Sequence, residues 1–169
     1  MQTIRKPAKV WYLELKHPKA DGPHSADFRF EKVFPVEQKN YRAIYKEVGG
    51  PWDWSNRLAI TEAELQAVLS DPKNSIYYCY YKEEFAGYFE LDTHTQDFEL
   101  VYFALSPKFI GKGLGRQMMQ SVIETAEKAN APRLWLHTCE FDSLQALAFY
   151  LKSGFSVYNE TIEDQLIIV

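Results

Sequence analysis

Thirteen consecutive residues, Ala104-Leu105-Ser106-Pro107-Lys108-Phe109-Ile110-Gly111-Lys112-Gly113-Leu114-Gly115-Arg116, carry the most specific chemistry in the chain. An apolar run precedes them and a run with helical spacing follows. Gly111, Gly113 and Gly115 stand at alternate positions. Glycine adopts φ > 0 without a Cβ clash, so successive backbone N–H groups can turn into one concavity. A helix that starts behind the loop adds its free N–H groups and the positive end of its dipole. Together these features make a cradle for a diphosphate. The common nucleotide motifs do not fit. A dinucleotide fingerprint needs G-x-G-x-x-G after the first strand of a βαβ unit, whereas this loop is G-x-G-x-G after a late strand. A P-loop needs Gly-Lys-Ser/Thr, and Gly115 is followed by Arg116 and Gln117. An ordinary tight turn uses one left-handed position, fewer than this loop provides.

The segment Ile110-Gly111-Lys112-Gly113-Leu114-Gly115 resembles the acetyl-CoA loop of the GNAT superfamily of N-acetyltransferases, Q/R-x-x-G-x-G/A after a strand. Gly113 and Gly115 match its two glycines. Ile110 stands in place of the leading Gln or Arg, which removes a polar side chain and leaves the backbone donors. Downstream, Ser143-Leu144-Gln145-Ala146-Leu147-Ala148-Phe149-Tyr150-Leu151-Lys152-Ser153-Gly154-Phe155 resembles the N-x-x-A-x-x-x-Y-x-x-x-G-F segment of the same superfamily. Ala146, Tyr150, Gly154 and Phe155 match in register, and Ser143 replaces the Asn. The resemblance runs from about residue 28 to the last residue of the sequence.

The resemblance implies acetyl-CoA as co-substrate and a primary amine, on a small molecule or a peptide, as acceptor. It implies that Ile110, Gly111, Lys112, Gly113, Leu114, Gly115 and Arg116 hold the diphosphate, with Ser143 also on the cofactor side. The extended pantetheine arm would pair with strand backbone at Phe103, Ala104 and Leu105, as a peptide adds to a sheet edge. Pro107, lacking an N–H, would end that ladder. Tyr150 would act as general acid toward the departing sulfur, because a phenol and a thiol have similar proton affinities. The attacking amine must first lose a proton. Glu99, at the start of an apolar strand where desolvation raises a carboxyl pKa, is the candidate base. Glu90, in the neighbouring apolar run, is its rival, and also reads as a structural acceptor. His137 reads either as a proton shuttle on the acceptor side or as a satisfied core histidine. Trp52, Trp54 and Arg57, in one loop, suit stacking on an acceptor or holding its carboxylate. A different class of function, a non-catalytic acyl-CoA-binding sensor or interaction module, is compatible with the replaced Gln/Arg and Asn.

The elements needed to position these residues are legible. The 169 residues are 46% hydrophobic and 15% aromatic, enough for one packed core and too apolar for disorder. A formal charge of −4 without a basic run argues against nucleic acid as partner. No apolar run reaches membrane-spanning length, the first residues lack a signal core, and no His/Cys/Asp cluster has metal-ligand spacing. Cys79 and Cys139 lie in apolar runs and read as buried free thiols, which suggests a reducing, cytoplasmic setting. A homodimer is left open.

Strands are expected at residues 10–15, 28–34, 75–81, 84–91, 98–105, 133–139, 155–158 and 165–169. Helices are expected at 36–48, 61–70, 115–129 and 142–153, with Thr61 and Glu64 as a capping box. The order predicts a single domain over residues 1–169. It is an α/β (α+β) domain with a mixed, mostly antiparallel sheet and helices on both faces, like GNAT domains, plus an extra N-terminal strand and loop in residues 1–27.

Overall fold

The computed structural model describes residues 2–169. Seven strands form one mixed sheet in the order β2-β3-β4-β5-β6-β1-β7. They are β1 (Thr3–Lys16), β2 (Phe28–Val33), β3 (Asn74–Tyr81), β4 (Glu84–Asp92), β5 (Phe98–Leu105), β6 (Arg133–Cys139) and β7 (Ser156–Ile168). The helices are α1 (Gln38–Gly49), α2 (Asn56–Ala59), α3 (Glu62–Ser70), α4 (Leu114–Lys128) and α5 (Ala146–Lys152). The chain divides into two compact units, one of residues 14–34 and 72–136, the other of residues 2–13, 35–71 and 137–169.

In the first unit, β2, β3, β4 and β5 form an antiparallel ladder. Both faces of β4 are covered, since the successive residues Tyr88 and Phe89 are fully buried, as are Ile76 and Leu91. Helix α4 lays Met118, Met119, Val122 and Ala126 into the interior at helical spacing. Gly87 permits a close approach: a Cβ there would lie 2.5 Å from the Ala104 carbonyl oxygen and 3.2 Å from the Met118 sulfur. The loop after β1 is strapped along α4. The Ala20 N–H donates to Glu127, His24 Nε2 meets Glu124 at 2.9 Å, the Ser25 N–H donates to Gln117, and Gln120 donates to the Asp21 carbonyl. Residues 117, 120, 124 and 127 share one helix face, so the strap fixes the helix that begins at the glycine loop.

In the second unit, α1 buries Tyr41, Ile44, Tyr45 and Val48, and Glu37 caps it by accepting from the Lys39 and Asn40 N–H groups. The expected Thr61–Glu64 capping box opens α3. Gly49 leaves room for Trp54, whose indole would lie 2.6 Å from a Cβ at that position.

Five expectations need correction. β1 has 14 residues and lies between β6 and β7 instead of forming a short appended strand. Its exposed first half, with Arg5, Lys6 and Pro7, carries no apolar signal. The two C-terminal strands are one, β7. Residues 156–168 contain no Gly or Pro to break it, and an edge strand tolerates the largely polar run 159–164 that lay between the two expected strands. α5 begins at Ala146, because Asp142 and Ser143 engage backbone turns, with the Asp142 N–H on the Cys139 carbonyl and the Ala146 N–H on the Ser143 carbonyl. The loop after α1 holds a short 3-10 turn (Gly50–Trp52) and α2. Both cysteines are free thiols, but only Cys79 is buried, and Cys139 is half-buried.

Candidate active site

The glycine loop is built by the end of β5. The Ser106 N–H donates to the Ala86 carbonyl as the last ladder bond, and Pro107–Phe109 then forms a 3-10 turn. Phe109 is buried and anchors the turn, while Lys108, Ile110, Gly111, Lys112, Gly113 and Arg116 are exposed. Gly111 and Gly113 have φ of +81° and +77°, and a Cβ at either would meet nothing within 4 Å. Their glycine identity therefore answers to backbone conformation rather than to crowding. Gly115 departs from the expected alternation, lying in the first turn of α4. Leu114 is buried and pins the helix start. Gly113 is the N-cap and supplies no side-chain acceptor to the first N–H groups. A left-handed pair of glycines, an uncapped 15-residue helix start and the cations of Lys112 and Arg116 compose an anion cradle. This arrangement fits a diphosphate.

β5 also carries Phe103, Ala104 and Leu105. Its antiparallel ladder with β4 extends to the Gly87–Leu105 pair, whereas its parallel pairing with β6 covers only Phe98–Leu134 and Glu99–Trp135. A bulge between Glu90 and Leu91 sets Glu90 opposite Tyr102 and Leu91 opposite Leu100, leaving Val101 as the extra residue. Glu90 is 1% exposed. Glu99 is half-buried and pairs across the ladder with Asp92. Burial, reinforced by the Asp92 charge, pushes its carboxyl up to about 7.

The second unit holds the other candidate residues. Tyr150 is a half-buried residue of α5, its ring 5.6 Å from Phe149 and 6.2 Å from Phe155. Desolvation raises its phenol well above the ordinary value, and the Asp142 charge adds to the rise, so it stays protonated across the neutral range. Asp142 joins several elements. Its Oδ2 accepts from Thr138 Oγ1 at 2.6 Å and from the Cys139 N–H at 2.9 Å, and its Oδ1 accepts from Trp54 Nε1 at 3.4 Å. Trp54 and Trp52 are half-buried, and the Trp54 ring lies 5.7 Å from Tyr45. Arg57, in α2, is half-buried, and its N–H donates to the Tyr45 hydroxyl at 3.4 Å. Ser143 Oγ accepts from the Gln145 N–H, a local turn bond.

His137 is exposed on β6 rather than a core residue, with its ring 5.6 Å from Tyr12. Loss of hydration lowers its pKa, against the opposing charges of Glu163 and Asp142. Tyr12 donates to Glu163 Oε2 at 2.7 Å, and that hydrogen bond, with burial second, pushes its phenol up to about 12. Asp142, Tyr12 and Glu163 escaped the sequence reading. Asp142 adjoins the Ser143 motif position and could have been flagged there, but Tyr12 and Glu163 are 151 residues apart and share no local signal.

Fold and loop together define an α/β domain with a glycine loop leading into the uncapped start of α4. The acetyltransferase (GNAT) family profile matches residues 34–155. The chain belongs to the GNAT acetyltransferase family, whose members transfer an acyl group from acetyl-CoA. Among solved structures it is similar to a GCN5-related N-acetyltransferase from Sphaerobacter thermophilus (TM-score 0.69, 14% identity, 96% of this chain and 51% of that one). It is also similar to the ribosomal-protein-S18-alanine N-acetyltransferase of Escherichia coli (TM-score 0.62, 15% identity, 84% and 95%). A third is a Bacillus subtilis acetyltransferase in complex with CoA (TM-score 0.60, 22% identity, 78% of each). At these identities the likeness is one of fold, and this chain spans about half the length of the Sphaerobacter protein. No helix among the described residues is long and apolar enough to cross a membrane.

Proposed function

We propose that the chain is an N-acetyltransferase that moves the acetyl group of acetyl-CoA to a primary amine. The carrying observation is the glycine loop: two left-handed glycines run into an uncapped helix start, within the family-matched region. In this reading Gly111, Gly113 and the first N–H groups of α4 hold the diphosphate, with Lys112 and Arg116 adding charge. The β5 backbone at Phe103 to Leu105 holds the pantetheine arm. The bound co-substrate supplies a thioester carbonyl as electrophile.

Glu99 removes a proton from the incoming ammonium. Its carboxyl, pushed up to about 7, is ionised in part at neutrality and basic enough to accept that proton. Glu90 is so buried that it suits a structural acceptor better than a base. As the nitrogen–carbon bond forms and the carbon–sulfur bond breaks, Tyr150 gives its proton to the sulfur and recovers one from solvent. Its raised phenol keeps that proton in place until then. Trp52, Trp54 and Arg57 serve the acceptor side.

Two measurements test the reading. Calorimetry with CoA reports the cradle, and thiol release from acetyl-CoA over a panel of amines reports transfer. Binding together with amine-dependent thiol release is expected. Binding without release from any amine leaves the non-catalytic module, the reading favoured by Ile110 and Ser143 at the two replaced positions.

A further inference from the structure

We infer that the chain holds a small-molecule site at the far end of α4 from the glycine loop. It takes a flat aromatic monocarboxylate, with the ring against Phe30 and Phe98 and the acid group on Lys32 and the Tyr77 hydroxyl. The site stands apart from the acetyl-transfer reading.

Strand register builds the floor. Lys32 on β2 pairs with Tyr77 on β3, and Tyr77 pairs with Phe89 on β4. Cross-strand partners share a face, as do residues two apart, which puts Phe30, Lys32, Tyr77 and Phe89 on one side of the sheet. Leu91 pairs with Leu100, so Phe98 joins them from β5. Helix α4 lies over this face. Met118, near the helix start, would meet a Cβ on Gly87 at 3.2 Å. The last turn of α4 lies over the opposite ends of the strands, where it and the floor enclose an open pocket of about 490 Å³. That volume suits a small molecule. Glu124, on the pocket wall, lies about 15 Å along the helix from Leu114 at the glycine loop.

Phe30, Tyr77 and Phe98 are half-buried although they lie on the face that α4 covers, whereas Phe89 beside them is fully buried. Tyr77 is held in place by stacking on Phe89 at 4.7 Å and 11°, with Phe30 at 6.1 Å and tilted by 47°. Phe98 meets no other aromatic ring among the described residues. Most polar groups around the pocket are spent. Thr125 Oγ1 donates to the Ser121 carbonyl at 2.8 Å, Thr93 Oγ1 to the Lys73 carbonyl at 3.0 Å and Ser75 Oγ to the Pro72 carbonyl at 3.3 Å. Glu124 accepts from Lys128 at 2.5 Å and meets His24 Nε2 at 2.9 Å, so Lys128 is matched. Two donors remain. The Tyr77 hydroxyl makes no hydrogen bond with any described residue, and burial raises its phenol, so it keeps its proton. Lys32 pairs with no carboxylate among the described residues and reaches the Pro72 carbonyl only at 3.4 Å, beyond the usual N–H···O range. As ladder partners, Lys32 and Tyr77 can reach one carboxylate together. One unmatched cation, one phenol donor and aromatic walls recognise a single anionic group on a flat apolar body. A dianion finds no second open cation, and a cationic ligand meets Lys32.

The test uses 2-naphthoate, titrated calorimetrically at low salt. Saturable binding is expected, about tenfold weaker in Lys32→Met and about fivefold weaker in Tyr77→Phe. Lys32→Arg should retain it to within about threefold. It is unchanged in Lys39→Met, a substitution at an exposed lysine of α1 outside the pocket. 2-Naphthamide keeps the rings and lacks the charge, so it should bind wild type and Lys32→Met alike. Acetate keeps the charge and lacks the rings, so it should show no saturation. Saturating CoA should leave the naphthoate isotherm unaltered, because the glycine loop lies at the other end of α4. No saturable naphthoate binding, equal affinity in wild type and Lys32→Met or Tyr77→Phe, acetate binding as tight as that of naphthoate, or displacement by CoA overturns the inference. None of these outcomes alters amine-dependent thiol release from acetyl-CoA, which is measured separately. Naphthoate binding that depends on Lys32, in a protein that releases no thiol with any amine, leaves this site standing and removes the transfer reading.

Discussion

The glycine loop and the Tyr12–His137–Glu163–Asp142 cluster are built from opposite materials. The loop is backbone: two positive-φ glycines and the open N–H groups of α4, with its few charged side chains exposed. The cluster is side chain: two carboxylates fixed by hydroxyl, indole and amide donors drawn from β1, β6, β7 and the loop after α1. A backbone site binds a group common to every substrate of a family, because any sequence with the right glycines presents the same N–H groups. A side-chain site distinguishes one acceptor from another, because each partner is a separate choice. In this chain the glycine loop lies within the family-matched region, residues 34–155, and Tyr12 and Glu163 lie outside it.

Substitutions probe that contrast, beginning with the largest expected effect. Tyr150→Phe should lower kcat by about a thousandfold while leaving CoA affinity unchanged; calorimetry and thiol-release kinetics on the same preparation check both halves. Unchanged kcat removes Tyr150 from the chemistry. Glu99→Gln should cost about a hundredfold and erase the acidic limb of the pH–rate profile, which in the wild type should rise through about 7 as Glu99 ionises.

The same group sets a stability slope. Because its folded pKa is raised, the native state binds a proton that the unfolded chain has already lost. Glu99 therefore stabilises most at acid pH, and that contribution falls as pH rises from the ordinary carboxylate range to about 7. Glu99→Gln should flatten the melting temperature across that window.

Gly87→Ala is expected to destabilise by about 2 kcal/mol, since its Cβ would meet the Ala104 carbonyl at 2.5 Å; thermal unfolding measures it. Asp142→Asn should cost about 1.5 kcal/mol and shift Trp54 fluorescence, because an amide cannot accept at both ends as the carboxylate does. An unaltered emission spectrum would detach Trp54 from Asp142. Gly111→Ala should be the mildest, with about 1 kcal/mol of left-handed strain at φ +81° and CoA binding only a few-fold weaker, since no neighbour obstructs the new methyl.

Local patterns delivered the parts of the fold that local forces dictate. β5 and β6 fall where their apolar runs begin and end, and the Thr61–Glu64 cap is a bond between residues three apart. The errors share a cause. β1 and β7 owe their length to pairing with distant strands rather than to their own composition, so a polar, proline-bearing N-terminus and a polar run at 159–164 hid them. His137 read either as an acceptor-side residue or as a core residue, because alternation along one strand does not reveal which face is covered.

By itself the sequence pointed to the family and singled out the glycine loop and Tyr150 as candidates, because each is written in short-range spacing: glycines two apart and a helical motif within 13 residues. The tertiary structure alone decided that Glu99 faces Asp92, that Asp142 joins Trp54 to the end of β6, and that Tyr12 meets Glu163 across 151 residues. Burial and electrostatic pairing depend on distance in space, and a chain's order encodes that only through the register of strands that meet after folding.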